Sequence, residues 1–305
     1  MDNLTHSLLG ALLSQAGLKK LTGRATATLV IAANLPDIDA FATLLGTESL
    51  AIRRGITHGP IALAVLPVIL WGIILAYDKW RPAKQEVRAL PLLGLAYLGA
   101  LTHPLLDWFN SYGIRFLEPF SSRWHAADTL FIIDIWVWLI FALTFTLGRL
   151  RERRGSRRWF VPARFGLGAF VLYVGLNGLI TAQAEQQGRQ LVQMQYRIQP
   201  DLVVANPVPV RFWARNMLWR GEGVHGSGSY LFLDGPMMTG APKSNALDHP
   251  QLAAQRSRSD VEAFLFWSRM PFVEERDGRL WLLDQRFNSE MTRDPFRVDL
   301  GERSE

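Results

Sequence analysis

Apolar residues in this chain are gathered into long runs, and the long runs all lie within the first 184 residues. Segments 60–77, 89–108, 129–148 and 165–184 each approach the roughly 20 residues that a helix needs to cross a bilayer core. In hydrocarbon every backbone polar group must be satisfied within the protein, so runs of this length fold as helices. Two earlier apolar segments, 4–17 and 26–35, are shorter. They read as a helical hairpin that turns at 18–23, where Lys19, Lys20 and Gly23 lie. The expected architecture is mainly α: a polytopic membrane bundle of about six helices, the first two short.

Beyond residue 184 the pattern changes. Residues 185–305 read as a separate, small soluble α+β domain following the membrane domain 1–184. Segments 190–198, 208–220 and 229–233 are rich in apolar and aromatic residues and read as strands. Asp277-Gly278 is a hairpin turn signal between two further short strands. Residues 260–269 read as a helix, with Ser259 as its N-cap. The Gly-rich stretch 221–228 lacks the strand–loop–helix context of a phosphate loop and reads as an ordinary turn.

Lys and Arg number 33 against 27 Asp and Glu. The excess sits in short loops. Loops 18–24, 78–88 and 149–164 together hold 14 Lys and Arg, whereas 36–59 and 109–127 hold only Arg53, Arg54, Arg115 and Arg123. Positive residues favour the cytoplasmic side of short loops. The first set of loops is therefore expected inside, and the soluble domain outside the cell membrane. Topology accounts for the basic charge, so no nucleic-acid partner is expected. There is no cysteine, which excludes disulfides, thiolate metal sites and thiol catalysis. The first residues lack a basic n-region and a small-residue cleavage site, so no cleavable signal peptide is expected.

The chemistry-bearing residues of the apolar half are few. His6 opens the first helix. Asp37 and Asp39 follow Pro36 at the end of the second. His58 precedes Gly59-Pro60, where the third run starts. His103 and Asp107 lie near the end of the fourth, with Asn110 just beyond. His125 and Asp128 precede the fifth run, and Asp134 falls inside it. The loop charges, which include none of these residues, direct all of them but Asp134 to the outer face. Imidazole and carboxylate together suit a divalent metal, with zinc first and manganese or iron as alternatives. His103 and Asp107 are four apart, so a helix puts both on one face within reach of one ion. Asp134 would be an intramembrane carboxylate, which is costly unless functional. The expected ligands are His6, Asp37, Asp39, His58, His103, Asp107 and Asp134. Asp39, Asp128 and Asn110 are the candidate catalytic groups. His125 reads as structural. Arg53 and Arg54 read as headgroup-region residues, with phosphate binding as the alternative. His225 and His249 lack partners at ligand spacing and read as surface residues.

The chain resembles the YdjM-type inner-membrane metal-dependent hydrolases. The resemblance rests on Thr5-His6-Ser7, Leu35-Pro36-Asp37-Ile38-Asp39, Thr57-His58-Gly59, Leu101-Thr102-His103-Pro104-Leu105-Leu106-Asp107, and Pro119-Phe120-Ser121 leading to Asp128 and Asp134. It continues in Phe264-Leu265-Phe266-Trp267-Ser268-Arg269 and Asp284-Gln285-Arg286-Phe287. The order of His6, Asp37 or Asp39, His58, and His103 with Asp107 is also similar to zinc-dependent phospholipase C and the P1-type nucleases. Those enzymes supply further histidines and a glutamate, where this chain offers His125, Asp128 and Asp134. One or two metals are therefore expected rather than three. The resemblance implies a bacterial inner-membrane hydrolase; the position of the site at the membrane face suggests a lipid or lipid-linked ester or phosphoester as substrate, with the phosphoester favoured by the similarity to the phospholipases and nucleases. The alternative is a non-enzymatic membrane protein, an ion or proton carrier or a scaffold with a structural ion.

Overall fold

A computed structural model describes residues 1–289 and 294–302. The first part is mostly helical. In chain order it contains α1 (Asn3–Gln15), α2 (Ala25–Ala32), a 3-10 run (Leu35–Glu48), α3 (Ser49–Ile52), a 3-10 turn (Ile56–His58), α4 (Pro60–Trp80), α5 (Ala89–Trp108), α6 (Ile135–Arg153) and α7 (Val161–Tyr196). Among the described residues, four helical runs are long and apolar enough to cross a membrane: Ala25–Ile52, Pro60–Trp80, Ala89–Trp108 and Val161–Tyr196. The first of these is broken by its 3-10 stretch and by Gly46, whose φ is 69°. On α4, Ile61, Val65, Ile69 and Ile73 recur every fourth residue and are all exposed. An apolar stripe of that length facing outward marks a lipid-contacting surface.

The run expected at 129–148 begins later. Helix α6 starts at Ile135, and its last turns carry Arg149, Arg151, Glu152 and Arg153. Its uncharged stretch, residues 135–148, is thus shorter than those of α4, α5 and α7. The cause is Asp134, whose carboxylate accepts from the Trp136 and Val137 amides and fixes the helix start.

Close backbone approach sets the site's scaffold. A Cβ on Gly10 would stand 2.7 Å from the Leu29 carbonyl oxygen, and one on Gly99 would stand 2.9 Å from that same atom. Helices α1 and α5 therefore both meet α2 through a glycine. The Asn34 side chain adds a tie, donating to Ser7 Oγ on α1. Leu9, Leu12, Leu106, Val137, Phe141 and Phe170 form the buried core joining α1, α5, α6 and α7.

The chain divides into two units: 1–39 with 54–178, and 40–53 with 179–305. The second unit contains two antiparallel sheets. One has strands β1 (Leu202–Pro207), β2 (Ala214–Gly221), β3 (Val224–Leu231) and β4 (Gly235–Ser244) in that order. The other has β5 (Pro271–Arg276), β6 (Arg279–Asp284) and β7 (Arg297–Glu302). Helix α8 (Pro250–Ala254) and helix α9 (Ser259–Trp267) lie between them in sequence. The strand expected at 190–198 is instead the end of α7. Ala184, Gly188 and Val192 recur at helical spacing, and the outer two join Met217 and Trp219 in the core. Gly188 lies so close to Met217 that an added Cβ would stand 2.5 Å from its Cε. The 221–228 stretch is a turn only at Glu222 and Gly223, both with positive φ, and strand from Val224. Asp277 and Gly278 likewise have positive φ and form the expected tight turn between β5 and β6. The N-cap of α9 is Arg258; the Ser259 hydroxyl donates to Glu48.

Candidate metal centre

Each polar group of the site is delivered by a local feature of the chain. Asp2 caps α1 by accepting from the Thr5 amide, so that the helix starts in time to carry His6 inward. Helix α2 ends at Ala32 with Ala33 as its C-cap, and the 3-10 run that follows carries Asp37 and Asp39. His58 closes a 3-10 turn before Gly59, and Pro60 starts α4 at the position where proline's missing N–H costs nothing. His103 and Asp107 project from one face of α5.

These residues meet. Asp37, His58, His103 and Asp107 each offer one ligand atom, and all four atoms lie within 4.8 Å of one another. His6, His58, His103 and Asp107 are fully buried, and the Asp37 side chain is 7 % exposed. The His6 ring stacks on His103 with centroids 3.8 Å apart, and its Nε2 is 3.5 Å from Asp107 Oδ1. His58 and His103 bring their Nε2 atoms to 3.1 Å.

The supporting contacts favour metal ligation. His103 Nδ1 is 2.7 Å from the Ala33 carbonyl, so it carries the proton and leaves Nε2 as a lone pair. His58 Nδ1 is 2.9 Å from Thr57 Oγ1, and that hydroxyl donates to Asp39 Oδ2 at 2.8 Å. Such partners on the far nitrogen orient ligand histidines and set their tautomer. Buried polar atoms are normally hydrogen-bonded. Here both ring nitrogens of His6 and Asp39 Oδ1 have no hydrogen-bond partner, while Asp107 is ion-paired with the Met1 α-amino group and Arg54. A cluster with unfilled nitrogen lone pairs and carboxylate oxygens at its centre fits a divalent cation of the zinc type.

Sequence and structure place the remaining candidates as follows. Asp39 belongs to the supporting layer beside His58, outside the four that meet. Asn110 is fully buried, and its Oδ1 accepts from Arg54 Nη1 and the Tyr112 amide. Asp134, expected as a ligand, is the N-cap of α6 and also accepts from the Tyr173 hydroxyl. Its carboxylate is engaged by those donors rather than by the cluster. Asp128 is buried in the loop beyond α5 with φ 50° and is not among the four. His125 forms an isolated bridge with Ile114 and stays structural. His225 is buried and bonded to Asn245 through Nδ1, not a surface residue.

Arg54 also departs from its expected place. Arg54 does not sit among headgroups: it is 4 % exposed, with Nε 3.0 Å from Asp107 Oδ2 and its guanidinium over the Tyr112 ring. The available signal was its place, four residues before His58 in a loop otherwise poor in positive charge.

The Bacillus subtilis (strain 168) protein described as "Uncharacterized protein YfhP" is 25 % identical over 228 residues, covering 70 % of this chain and 64 % of the relative. This chain thus spans somewhat less than two thirds of that relative's length. No solved structure matches it. The YdjM inner membrane protein family matches residues 1–184, the part that holds the buried His and Asp cluster and three of the four candidate membrane runs in full. The chain belongs to the YdjM inner membrane protein family.

Proposed function

We propose that this protein is a membrane-bound metal-dependent hydrolase that cleaves an ester or phosphoester bond of a lipid or lipid-linked substrate at the outer membrane face. One observation carries the reading: two imidazoles and two carboxylates from three separate elements converge within 4.8 Å in a buried site. Burying such groups is costly unless they are paired with a charge or an ion. Loop charge supports the outward placement, because the less basic loops are those that carry His58 and follow Asp107.

Asp37, His58, His103 and Asp107 would hold the ion, and His6 stands next to them as a further ligand. A bound divalent ion supplies Lewis-acid polarisation and lowers the pKa of water to about 7. Around it the chain's own groups divide the work. Thr57 links His58 to Asp39 and keeps the ring in one tautomer. Asp39 Oδ1 is buried with no partner and serves as the acceptor for a proton released in hydrolysis. Its Oδ2 is held by the Arg54 amide and Thr57, so the free oxygen is fixed in place.

The test is turnover of a panel of lipid esters and phosphoesters by the detergent-purified protein, with and without chelator. Wild type should turn over at least one class in a chelator-sensitive way, and His103→Ala should fall to background. Equal background rates for both would support the non-enzymatic alternative.

A further inference from the structure

Two cations are buried at this site: the Met1 α-amino group, paired with Asp107 Oδ1, and Arg54, which has no role in holding a metal. Arg54 is permanently charged and has no lone pair to offer an ion. It repels a metal, yet it is buried against Asp107, one of the candidate ligands. Its contacts explain only part of its donor capacity. Nε faces Asp107 Oδ2; Nη1 donates to Asn110 Oδ1 at 2.9 Å and approaches the Gly113 carbonyl at 3.4 Å. Among the described residues, no acceptor is hydrogen-bonded to Nη2.

Asn110 carries a second, independent sign. Its Oδ1 accepts two hydrogen bonds, which fixes the amide orientation, and its Nδ2 is then a fully buried donor without a partner. Leaving such a buried donor empty is costly. The site thus places two unfilled sets of N–H donors, one of them charged, beside a cluster fit for a divalent ion. An anion whose oxygens reach donors and ion together satisfies both. A carboxylic ester is neutral until its transition state, whereas a phosphoester carries charge in the ground state, which matches a fixed guanidinium.

We propose that Arg54 and Asn110 form a phosphoryl-binding subsite, so that the substrate of this centre is a phosphoester. This inference rests on the metal-site reading above. The shared ligand chemistry is a phosphoryl group, whether on a lipid or on a soluble ester.

The test is calorimetric titration of inorganic phosphate into full-length, zinc-loaded protein in detergent, with zinc content measured on the same samples. Wild type is expected to bind phosphate only when loaded. Arg54→Lys, which keeps the charge but loses the planar fork, and Asn110→Ala are each expected to weaken phosphate binding about tenfold or more at unchanged zinc content. Asn110→Asp, which is isosteric and adds a negative charge, should abolish it. Loaded wild type that binds no phosphate, or Arg54→Lys and Asn110→Ala that both bind within twofold of wild type, would overturn the subsite. Wild type that holds no zinc would instead overturn the metal reading beneath it. Competition separates the sources: stronger displacement by phosphatidic acid in mixed micelles than by glycerol phosphate assigns the group to a lipid, and equal displacement assigns it to a soluble ester. Either supports the phosphoryl subsite.

Discussion

The Nε2 atoms of His58 and His103 face each other at 3.1 Å, while each ring commits its other nitrogen elsewhere, to Thr57 and to the Ala33 carbonyl. Two lone pairs at that distance repel unless a proton or cation lies between them. His58→Gln and His103→Gln are therefore each expected to weaken zinc binding at least about tenfold, read by competition with a chelating dye. Binding within twofold of wild type in both variants would remove these rings from the metal site.

Thr57 touches no ion in this account and acts only through the His58 ring and Asp39. Thr57→Val keeps its shape and removes the hydroxyl. It should lower zinc affinity about 10- to 100-fold, as loss of such outer partners does elsewhere, with little change in melting temperature. Unchanged affinity would contradict the relay from Asp39 to His58.

Asp134 distinguishes a helix cap from a ligand. It bonds the Trp136 and Val137 amides and the Tyr173 hydroxyl. Asp134→Ala should cost about 0.5–2 kcal/mol of stability, the usual range for a lost cap. Zinc content should not change, and loss of zinc in a folded variant would return Asp134 to the ligand set.

Gly99 lets α5 approach α2 closely enough for His103 to reach the Ala33 carbonyl. Gly99→Val puts atoms where Leu29 and Ala32 already are. It should destabilise the protein by about 1–3 kcal/mol, the range for overpacking, and weaken zinc binding as well. A thermal melt and a zinc titration of the same variant read both. A melt and zinc affinity equal to wild type would show that the approach has slack.

In the second unit, Asp284 and Arg286 form a fully buried ion pair. Burial by itself raises the Asp284 carboxyl, but the Arg286 guanidinium and the Ser268 hydroxyl outweigh it and hold the group below its ordinary value. A depressed folded value means the pair stabilises above the unfolded pKa of about 3.9 and loses that contribution as pH falls through the folded value. Asp284→Asn should cost about 3–5 kcal/mol at neutral pH, the cost of breaking a buried pair, and its deficit relative to wild type should shrink only below about pH 4. A deficit that varies between pH 5 and 8 would contradict this assignment.

What could be read from sequence was what depends on local spacing. The i, i+4 step from His103 to Asp107 and the proline before Asp37 both announced groups aimed to one side. Asp134 was misread because residues 129–133 are apolar enough to hide the start of α6. An aspartate directly before a long apolar run is equally a cap signal. Arg54 was misread because its meaning lies in Asp107, far along the chain, and pairing across helices leaves no trace in a single sequence. The end of α7 was misread for the opposite reason: Ala184, Gly188 and Val192 carry a helical period, but glutamines and aromatics nearby gave the appearance of a strand.

The central claim is that the buried His and Asp cluster holds a metal. Elemental mass spectrometry of the detergent-purified, full-length protein measures this most directly. The account predicts about one or two divalent ions per chain in wild type and a loss of most of that metal in the His58→Ala, His103→Ala double variant. Wild type below about 0.1 ion per chain, with no gain after reconstitution with zinc, manganese or iron, would contradict it.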